Sequence, residues 1–120
     1  YARAKRGLVT LSEIWAKEWA SDFINVNAMH PGWADTPGVA HSLPGFHKFM
    51  EPHLRTPEEG SDTIIWMASA PEMDKVSGHF FLDRVPRNTS LLPGTRPSKD
   101  LVLKFYDYLK SKARPFLIEP

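Results

Sequence analysis

The residues best placed for chemistry are Tyr1 and Lys5, which lie four positions apart at the start of the chain. On a helix, this spacing puts two side chains one turn apart on the same face. An ammonium group beside a phenol stabilises the phenolate, so the phenol can exchange a proton with a carbonyl or alcohol oxygen. Most Tyr/Lys pairs at this spacing are surface neighbours, so the pair needs support from other features.

A second candidate group follows a predicted strand at residues 24–30. Pro31 lacks an N–H and ends the strand, and Gly32 lets the backbone turn and approach a ligand closely. A loop beyond the carboxyl end of a strand is where open α/β sheets bind ligands. Thr36 lies further along this loop as a candidate N-cap of a helix that begins at Pro37, a role that can coexist with a ligand contact.

Three predicted helices would position these groups. Residues 1–22 predict the first, with an apolar stripe of Leu8, Leu11, Trp15 and Trp19. The run 56–59 reads Thr-Pro-Glu-Glu, a capping box that predicts a helix to about residue 69 with a buried apolar face at 63–68. Ser98 is the predicted cap of a tail helix over 98–113.

The remaining segments complete an alternating pattern. Residues 79–83 predict a second strand, 37–55 a short helical segment interrupted by Pro44-Gly45, and 84–97 an irregular loop. A strand–helix–strand order predicts a parallel βαβ unit. Two strands rarely form a stable sheet alone, so we expect an α/β fold that is one edge of something larger and incomplete on its own.

Composition narrows the class of protein. The net charge is +1 and 24% of residues are charged, so nothing predicts binding to nucleic acid. No apolar run approaches the ~20 residues of a membrane span. The chain has no cysteine, and the five histidines form no ligand pattern, so we expect no metal site. The compartment is not defined by these features, and a cytoplasmic location is the expectation.

The chain resembles the C-terminal half of the short-chain dehydrogenase/reductases over nearly its whole length. The resemblance rests on Tyr1-x-x-x-Lys5, on the strand ending in Pro31-Gly32, and on Thr36, in that order. It implies the end of a Rossmann-like, doubly wound parallel sheet, ordered helix–strand–helix–strand–helix. Residues 1–120 would form the C-terminal half of one such domain, with residues 37–55 as a substrate lid.

The resemblance also implies roles. Tyr1 would be the general acid/base and Lys5 would support it, with NAD or NADP as cofactor and a small lipophilic carbonyl or alcohol as substrate. The residues expected to contact the cofactor are Tyr1, Lys5, Pro31, Gly32, Trp33, Ala34 and Thr36. The first helix would form a homo-oligomer contact or would pack within one chain.

Parts of such a site are absent from this sequence. The family's Gly-rich turn, catalytic serine and active-site asparagine would all precede Tyr1. We therefore expect a parent NAD(P)-dependent oxidoreductase whose isolated 120-residue segment is inactive. The alternatives are a truncated, inactive family member that acts as a protein-interaction module, and an independent α/β binding domain with a chance Tyr/Lys pair.

Overall fold

The computed structural model describes residues 1–90, 92 and 94–117. The helices are α1 (Ala2–Glu18), α2 (Pro37–Ser42), α3 (Pro44–Met50), α4 (Pro57–Ser69) and α5 (Lys99–Ala113). The strands are β1 (Ala28–Met29), β2 (Phe80–Leu82) and β3 (Val85–Pro86). Single 3₁₀ turns follow four of the helices at Ala20–Asp22, Glu51–His53, Pro71–Met73 and Arg114–Phe116.

The predicted parallel βαβ unit is confirmed. β1 pairs in parallel with β2, with Ala28 opposite Phe80 and Met29 opposite Phe81, and α4 lies in the connection between them. Both strands are shorter than predicted. Immediately before β1, the Asn27 side chain replaces the backbone hydrogen bonds that would extend the pairing. Its Nδ2 donates to Val76 O at 2.6 Å and its Oδ1 accepts from the His79 amide at 3.0 Å.

The expectation of an irregular loop over 84–97 is wrong at its start. Asp83 and Arg84 have φ of 55° and 58°, which makes a tight turn from β2 into the antiparallel strand β3. Such turns normally contain glycine or asparagine, so the sequence does not predict the hairpin. Pro86 is tolerated because β3 is at the edge of the sheet order β1-β2-β3. Residues 91 and 93 of the predicted loop lie outside the described residues.

The first helix is also shorter than the predicted 1–22, because α1 ends at Glu18. Beyond it the chain tightens into the 3₁₀ turn and reverses at Phe23, whose φ is 58°. A phenylalanine rarely adopts this left-handed conformation, so the residues around Phe23 give no sequence signal that the helix ends there. Residues 37–55 form two short helices rather than one interrupted segment, since Pro44 begins α3 at its first turn.

The tail helix begins after the Ser98 cap, as predicted, and packs on α1. A Cβ on Gly7 of α1 would lie 3.1 Å from Phe105 Cζ, and the Tyr106 hydroxyl donates to the Glu18 carboxylate. Trp15 and Trp19 stack on each other with ring centroids 5.1 Å apart. α5 therefore covers part of α1 within one chain, and the homo-oligomer contact through α1 stays a prediction.

The core is small. Phe81 and Met73 are 3% and 6% exposed, and the Trp66 ring meets Phe81 edge-on at 5.6 Å. The predicted burial of the whole run 63–68 is wrong, because Ile64 and Ile65 on the far side of α4 are 52% and 60% exposed.

The exposed area of the chain shows how open this fold is. The chain exposes 9668 Å², whereas a compact monomer of its mass would expose about 6,600 Å². The α/β fold is therefore partial, as the strand count predicts. Over the described residues, no helix has the length and apolar character that crossing a membrane requires.

Candidate active site

Tyr1 and Lys5 lie together at the N-terminus of α1. Tyr1 is the N-cap residue, and the Lys5 amide donates to its carbonyl oxygen at 3.0 Å. This first helical turn brings Lys5 Nζ to 5.5 Å from the centre of the Tyr1 ring. Tyr1 is 96% exposed, so its hydroxyl is open to a reacting group with the ammonium one turn away.

The same Tyr/Lys spacing occurs twice more in the chain, on α5. Lys110 Nζ lies 4.5 Å from the Tyr106 ring centre, and Lys112 Nζ lies 5.6 Å from that of Tyr108. The spacing and its geometry are thus general properties of helices. Tyr1 and Lys5 differ from the two pairs on α5 because a strand and the Pro31-Gly32 loop follow them in the chain.

That loop begins where β1 ends. The His30 amide donates to Phe81 O at 2.9 Å, the last ladder bond to β2. Gly32 then turns the chain with a φ of 77°, and its amide donates to His30 Nδ1 at 2.9 Å. The sequence prediction that Pro31-Gly32 ends the strand and turns the chain is confirmed.

The loop rests on the first turns of α4. A Cβ on Gly60, which is buried, would lie 2.9 Å from Ala34 Cβ and 3.8 Å from Pro31 Cβ. Only a glycine permits this approach of helix to loop. The capping box that starts α4 is present as predicted: the Thr56 hydroxyl accepts from the Glu59 amide and the Glu59 carboxylate accepts from the Thr56 amide.

Both ends of the predicted lid meet beside this loop. The Arg55 amide donates to Trp33 O at 2.8 Å and the Asp35 amide donates to Arg55 O at 2.7 Å. These two hydrogen bonds make a parallel β-bridge between Ala34 and Arg55. Residues 36–54 therefore leave the rest of the structure and return to it at the same place.

The lid folds back onto the loop through two contacts. The Trp33 ring packs against Phe46 of α3 with centroids 4.6 Å apart, and His47 Nε2 lies 2.8 Å from Asp35 Oδ1. In the structure the Trp33 side chain contacts the predicted lid, and its contact with a cofactor stays a prediction. Thr36 is the N-cap of α2, with its hydroxyl accepting from the Val39 amide at 3.4 Å, so the N-cap interpretation is confirmed.

The sequence does not predict Arg55 and Asp83 as site residues, yet Arg55 contacts the Pro31-Gly32 loop and Asp83 binds Arg55. The Arg55 guanidinium donates to both carboxylate oxygens of Asp83, with Nη2 at 2.9 Å from Oδ2, and Nη1 lies 3.4 Å from Pro31 O. A Cβ on Gly32 would be 2.8 Å from Arg55 Cζ. The hydrogen bond and the positive charge of Arg55 lower the pKa of Asp83.

The Tyr1/Lys5 pair and the loop at residues 31–36 are not bonded to each other in the structure. In the described part of the chain, no hydrogen bond or ion pair joins Tyr1 or Lys5 to residues 31–36. A cleft of about 790 Å³ lies elsewhere, between α1 and residues 77–80, 87–90, 92, 94 and 96, and none of the predicted site residues lines it. The described residues also hold no group of three histidine or acidic side chains suited to a metal ion.

Comparison with known proteins identifies the family. A family model described as enoyl-(acyl carrier protein) reductase matches residues 1–81. Dehydrogenase/reductase SDR family member 12 of Bos taurus is 44% identical over 118 residues, which cover 97% of this chain and 37% of that protein. Its Homo sapiens counterpart is 44% identical over 99 residues, 82% of this chain and 31% of that protein.

More distant relatives carry related names. Retinol dehydrogenase 14 of Homo sapiens is 32% identical over 89 residues, 69% of this chain and 26% of that protein. No solved structure matches the chain. The chain belongs to the short-chain dehydrogenase/reductase family, as its sequence motifs predict, and it spans between 26% and 37% of the length of these relatives.

Proposed function

We propose that this chain is the C-terminal part of an NAD(P)-dependent oxidoreductase that interconverts an alcohol and a carbonyl. The observation that carries the proposal is the order of the two candidate groups along α1 and the strand β1 that follows it. An exposed Tyr1 with the Lys5 ammonium one turn away begins α1, and the Pro31-Gly32 turn follows the strand after it. The relatives' names, which include dehydrogenase and reductase, agree with this chemistry.

The residues present suit the nicotinamide end of such a cofactor. The Tyr1 and Lys5 side chains are both exposed, and the Thr36 hydroxyl accepts one hydrogen bond and keeps its own proton to donate. Arg55 covers the face of Gly32 on which a Cβ would stand, so a cofactor would meet the opposite side of this turn. A bound nicotinamide supplies or accepts hydride at the substrate carbon.

The chain's own groups would move and hold the proton. Tyr1 would give its phenolic proton to the carbonyl oxygen during reduction and remove it from the alcohol during oxidation. The Lys5 ammonium would stabilise the phenolate that remains, since an opposite charge nearby favours the ionised form. The lid of α2 and α3 would cover a lipophilic substrate with the Trp33 and Phe46 rings and exclude water.

The test uses the full-length protein that contains this chain. Oxidation of NADH and of NADPH is followed with a panel of aliphatic and aromatic aldehydes and ketones, and cofactor binding is measured separately. Tyr1→Phe is expected to reduce turnover by about 10²–10⁴-fold while the cofactor Kd changes little. Turnover within threefold of the unsubstituted enzyme would show that Tyr1 is not the acid.

The chain supplies its own control for this test. Tyr108 and Lys112 repeat the spacing and the ring-to-ammonium distance of the candidate pair, at 5.6 Å instead of 5.5 Å. Tyr108→Phe and Lys112→Gln are therefore expected to leave turnover unchanged. Equal losses in both pairs would indicate a general effect of the substitutions on the fold.

A protein-interaction module is the second candidate, and the large exposed area favours it. Under this alternative the open faces, including Ile64 and Ile65 of α4, would be covered by another chain. The 120-residue chain alone is expected to bind NADPH negligibly and to self-associate. Saturable micromolar binding by a well-folded monomer would contradict both expectations.

A further inference from the structure

We infer that Arg55 and Asp83 form a clamp that positions the Pro31-Gly32 loop. Neither residue would touch the reacting atoms, so both would be positioning residues. The clamp links three points that are far apart in sequence: the end of the lid at Arg55, the end of β2 at Asp83, and the loop after β1. Its effect on cofactor binding rests on the proposed function, and its effect on the loop does not.

The contacts of the Arg55 side chain support a positioning role. The planar guanidinium lies on the α-carbon of Gly32, since a Cβ there would be within 2.9 Å of Cζ, Nε and Nη1. Nη1 and Nη2 of the guanidinium donate to the Asp83 carboxylate. Nη1 also donates to the Pro31 carbonyl oxygen at 3.4 Å. Lysine could supply the charge at this position but not the flat surface or the paired donors.

The backbone of Arg55 adds to the restraint. Its amide and carbonyl groups bond Trp33 and Asp35 at 2.8 Å and 2.7 Å. The loop from Pro31 to Asp35 is thus held by Arg55 and also packs closely on Gly60 of α4. A shift of Arg55 would therefore move the whole loop.

Asp83 is held where it can meet Arg55 by an uncommon backbone conformation. Its φ of 55° belongs to the left-handed region, which few non-glycine residues adopt and which aspartate tolerates better than most. This turn aims the carboxylate toward the loop, while Arg84, the next residue, pairs with Asp62 of α4. Conformations of this kind are often retained at functional sites.

The Arg55–Asp83 ion pair is expected to contribute little to the stability of the fold, so a positioning role explains it better. The side chains of Arg55 and Asp83 are 34% and 48% exposed, and ion pairs between solvent-exposed side chains contribute little to folding. The neighbouring pair of Arg84 and Asp62 is similarly exposed, at 52% and 45%, and is also bidentate, through Nε and Nη2 of Arg84. It is therefore a matched control for charge, exposure and position in the turn.

The experiment compares four single variants of the full-length protein. Arg55→Gln and Asp83→Asn remove the charge pairing of the clamp and its bidentate hydrogen bonding, and Arg84→Gln and Asp62→Asn do the same for the control pair. Amide hydrogen exchange at Gly32 and Asp35 is measured first without cofactor. The clamp variants are expected to exchange about tenfold faster at both amides, and the control variants within about twofold of the unsubstituted protein.

Cofactor kinetics form the second measurement. Clamp variants are expected to raise the KM for the nicotinamide cofactor by about tenfold and to lower kcat less, because the loop would be mispositioned rather than removed. Arg55→Lys is expected to fall between Arg55→Gln and the unsubstituted protein. Asp83→Asn keeps a residue suited to a positive φ, so it tests the clamp even if Arg55→Gln does not fold.

Two results would overturn the inference. One is unchanged exchange at Gly32 and Asp35 in Asp83→Asn, and the other is an equal effect of the control pair on those amides. If the unsubstituted protein binds neither NADH nor NADPH, the proposed function and the predicted KM effect are wrong. The exchange rates then still decide whether the clamp holds the loop.

Discussion

Ala34 and Gly60 are in direct contact, and the contact joins the candidate cofactor loop to α4. A Cβ on Gly60 would stand 2.9 Å from the Ala34 Cβ, closer than carbon atoms pack. Ala34 has no flexible atoms that could move aside, so any larger residue at position 60 must displace the loop or the helix.

We therefore predict that Gly60→Ala lowers the free energy of unfolding by about 1–3 kcal/mol through overpacking. Chemical denaturation measures the loss. Gly45→Ala in α3 is the control, because no atom lies within 4 Å of its Cβ position. That variant is expected to be neutral or stabilised by about 0.4–1 kcal/mol, and equal losses at both sites would contradict the packing argument.

The capping box of α4 gives a second prediction. Thr56→Ala removes the hydroxyl that accepts from the Glu59 amide at 3.2 Å and is expected to cost about 1 kcal/mol. Thr56→Ser keeps the cap and is expected to lose less than half of that. Both values are read from urea unfolding curves, and identical stabilities for the two variants would show that the box contributes nothing.

The Arg55–Asp83 ion pair predicts a dependence on pH at the acid end. Arg55 holds the pKa of Asp83 below its usual value of 3.8, so on acidification the unfolded chain takes up the proton first. The contribution of the pair is present above the usual pKa and is lost as the pH falls through the lowered one. Because the pair is exposed, the difference in unfolding temperature between Asp83→Asn and the unsubstituted protein should be small at neutral pH and should vanish in strong acid.

Asp62 is expected to behave in the same way, because its hydrogen bond to Arg84 lowers its pKa. Asp62→Asn is expected to show a similar acid transition in stability. A difference that persisted unchanged in strong acid, in either variant, would mean that the charge of the carboxylate is not what the variant removes.

The docking of α5 on α1 gives a fourth prediction. Glu18 accepts a hydrogen bond from the Tyr106 hydroxyl and raises the pKa of that phenol. The contribution is thus present below the usual phenol pKa and is lost as the pH rises through the raised value. Tyr106→Phe is expected to cost about 0.5–1.5 kcal/mol, measured by thermal unfolding at neutral pH.

Tyr108→Phe is the matched control for that prediction. Tyr108 lies on the same helix, is 58% exposed and has Lys112 over its ring. A surface substitution of this kind is expected to change stability by less than about 0.5 kcal/mol. An equal cost for both variants would mean that the hydrogen bond to Glu18 does not stabilise the helix pair.

Local features of this protein were predictable from its sequence because their partners are near neighbours. The cap at Thr36, the box at Thr56 and the cap at Ser98 each join groups three residues apart. The turn at Pro31-Gly32 follows from a missing N–H and a permissive φ. The parallel βαβ unit follows from the order of elements, and family membership from the motifs in sequence. The catalytic role of Tyr1 and Lys5 remains a prediction.

Other features depend on contacts between distant residues. Arg55 and Asp83 are 28 positions apart, and neither stands in a pattern that predicts the other. The reversals at Phe23 and at Asp83-Arg84 use left-handed residues without glycine, so no local signal marks them. The exposure of Ile64 and Ile65 depends on which face of α4 meets the sheet. Tertiary structure decided these points because packing energy, summed over many weak contacts, overrides the local preferences that a sequence displays.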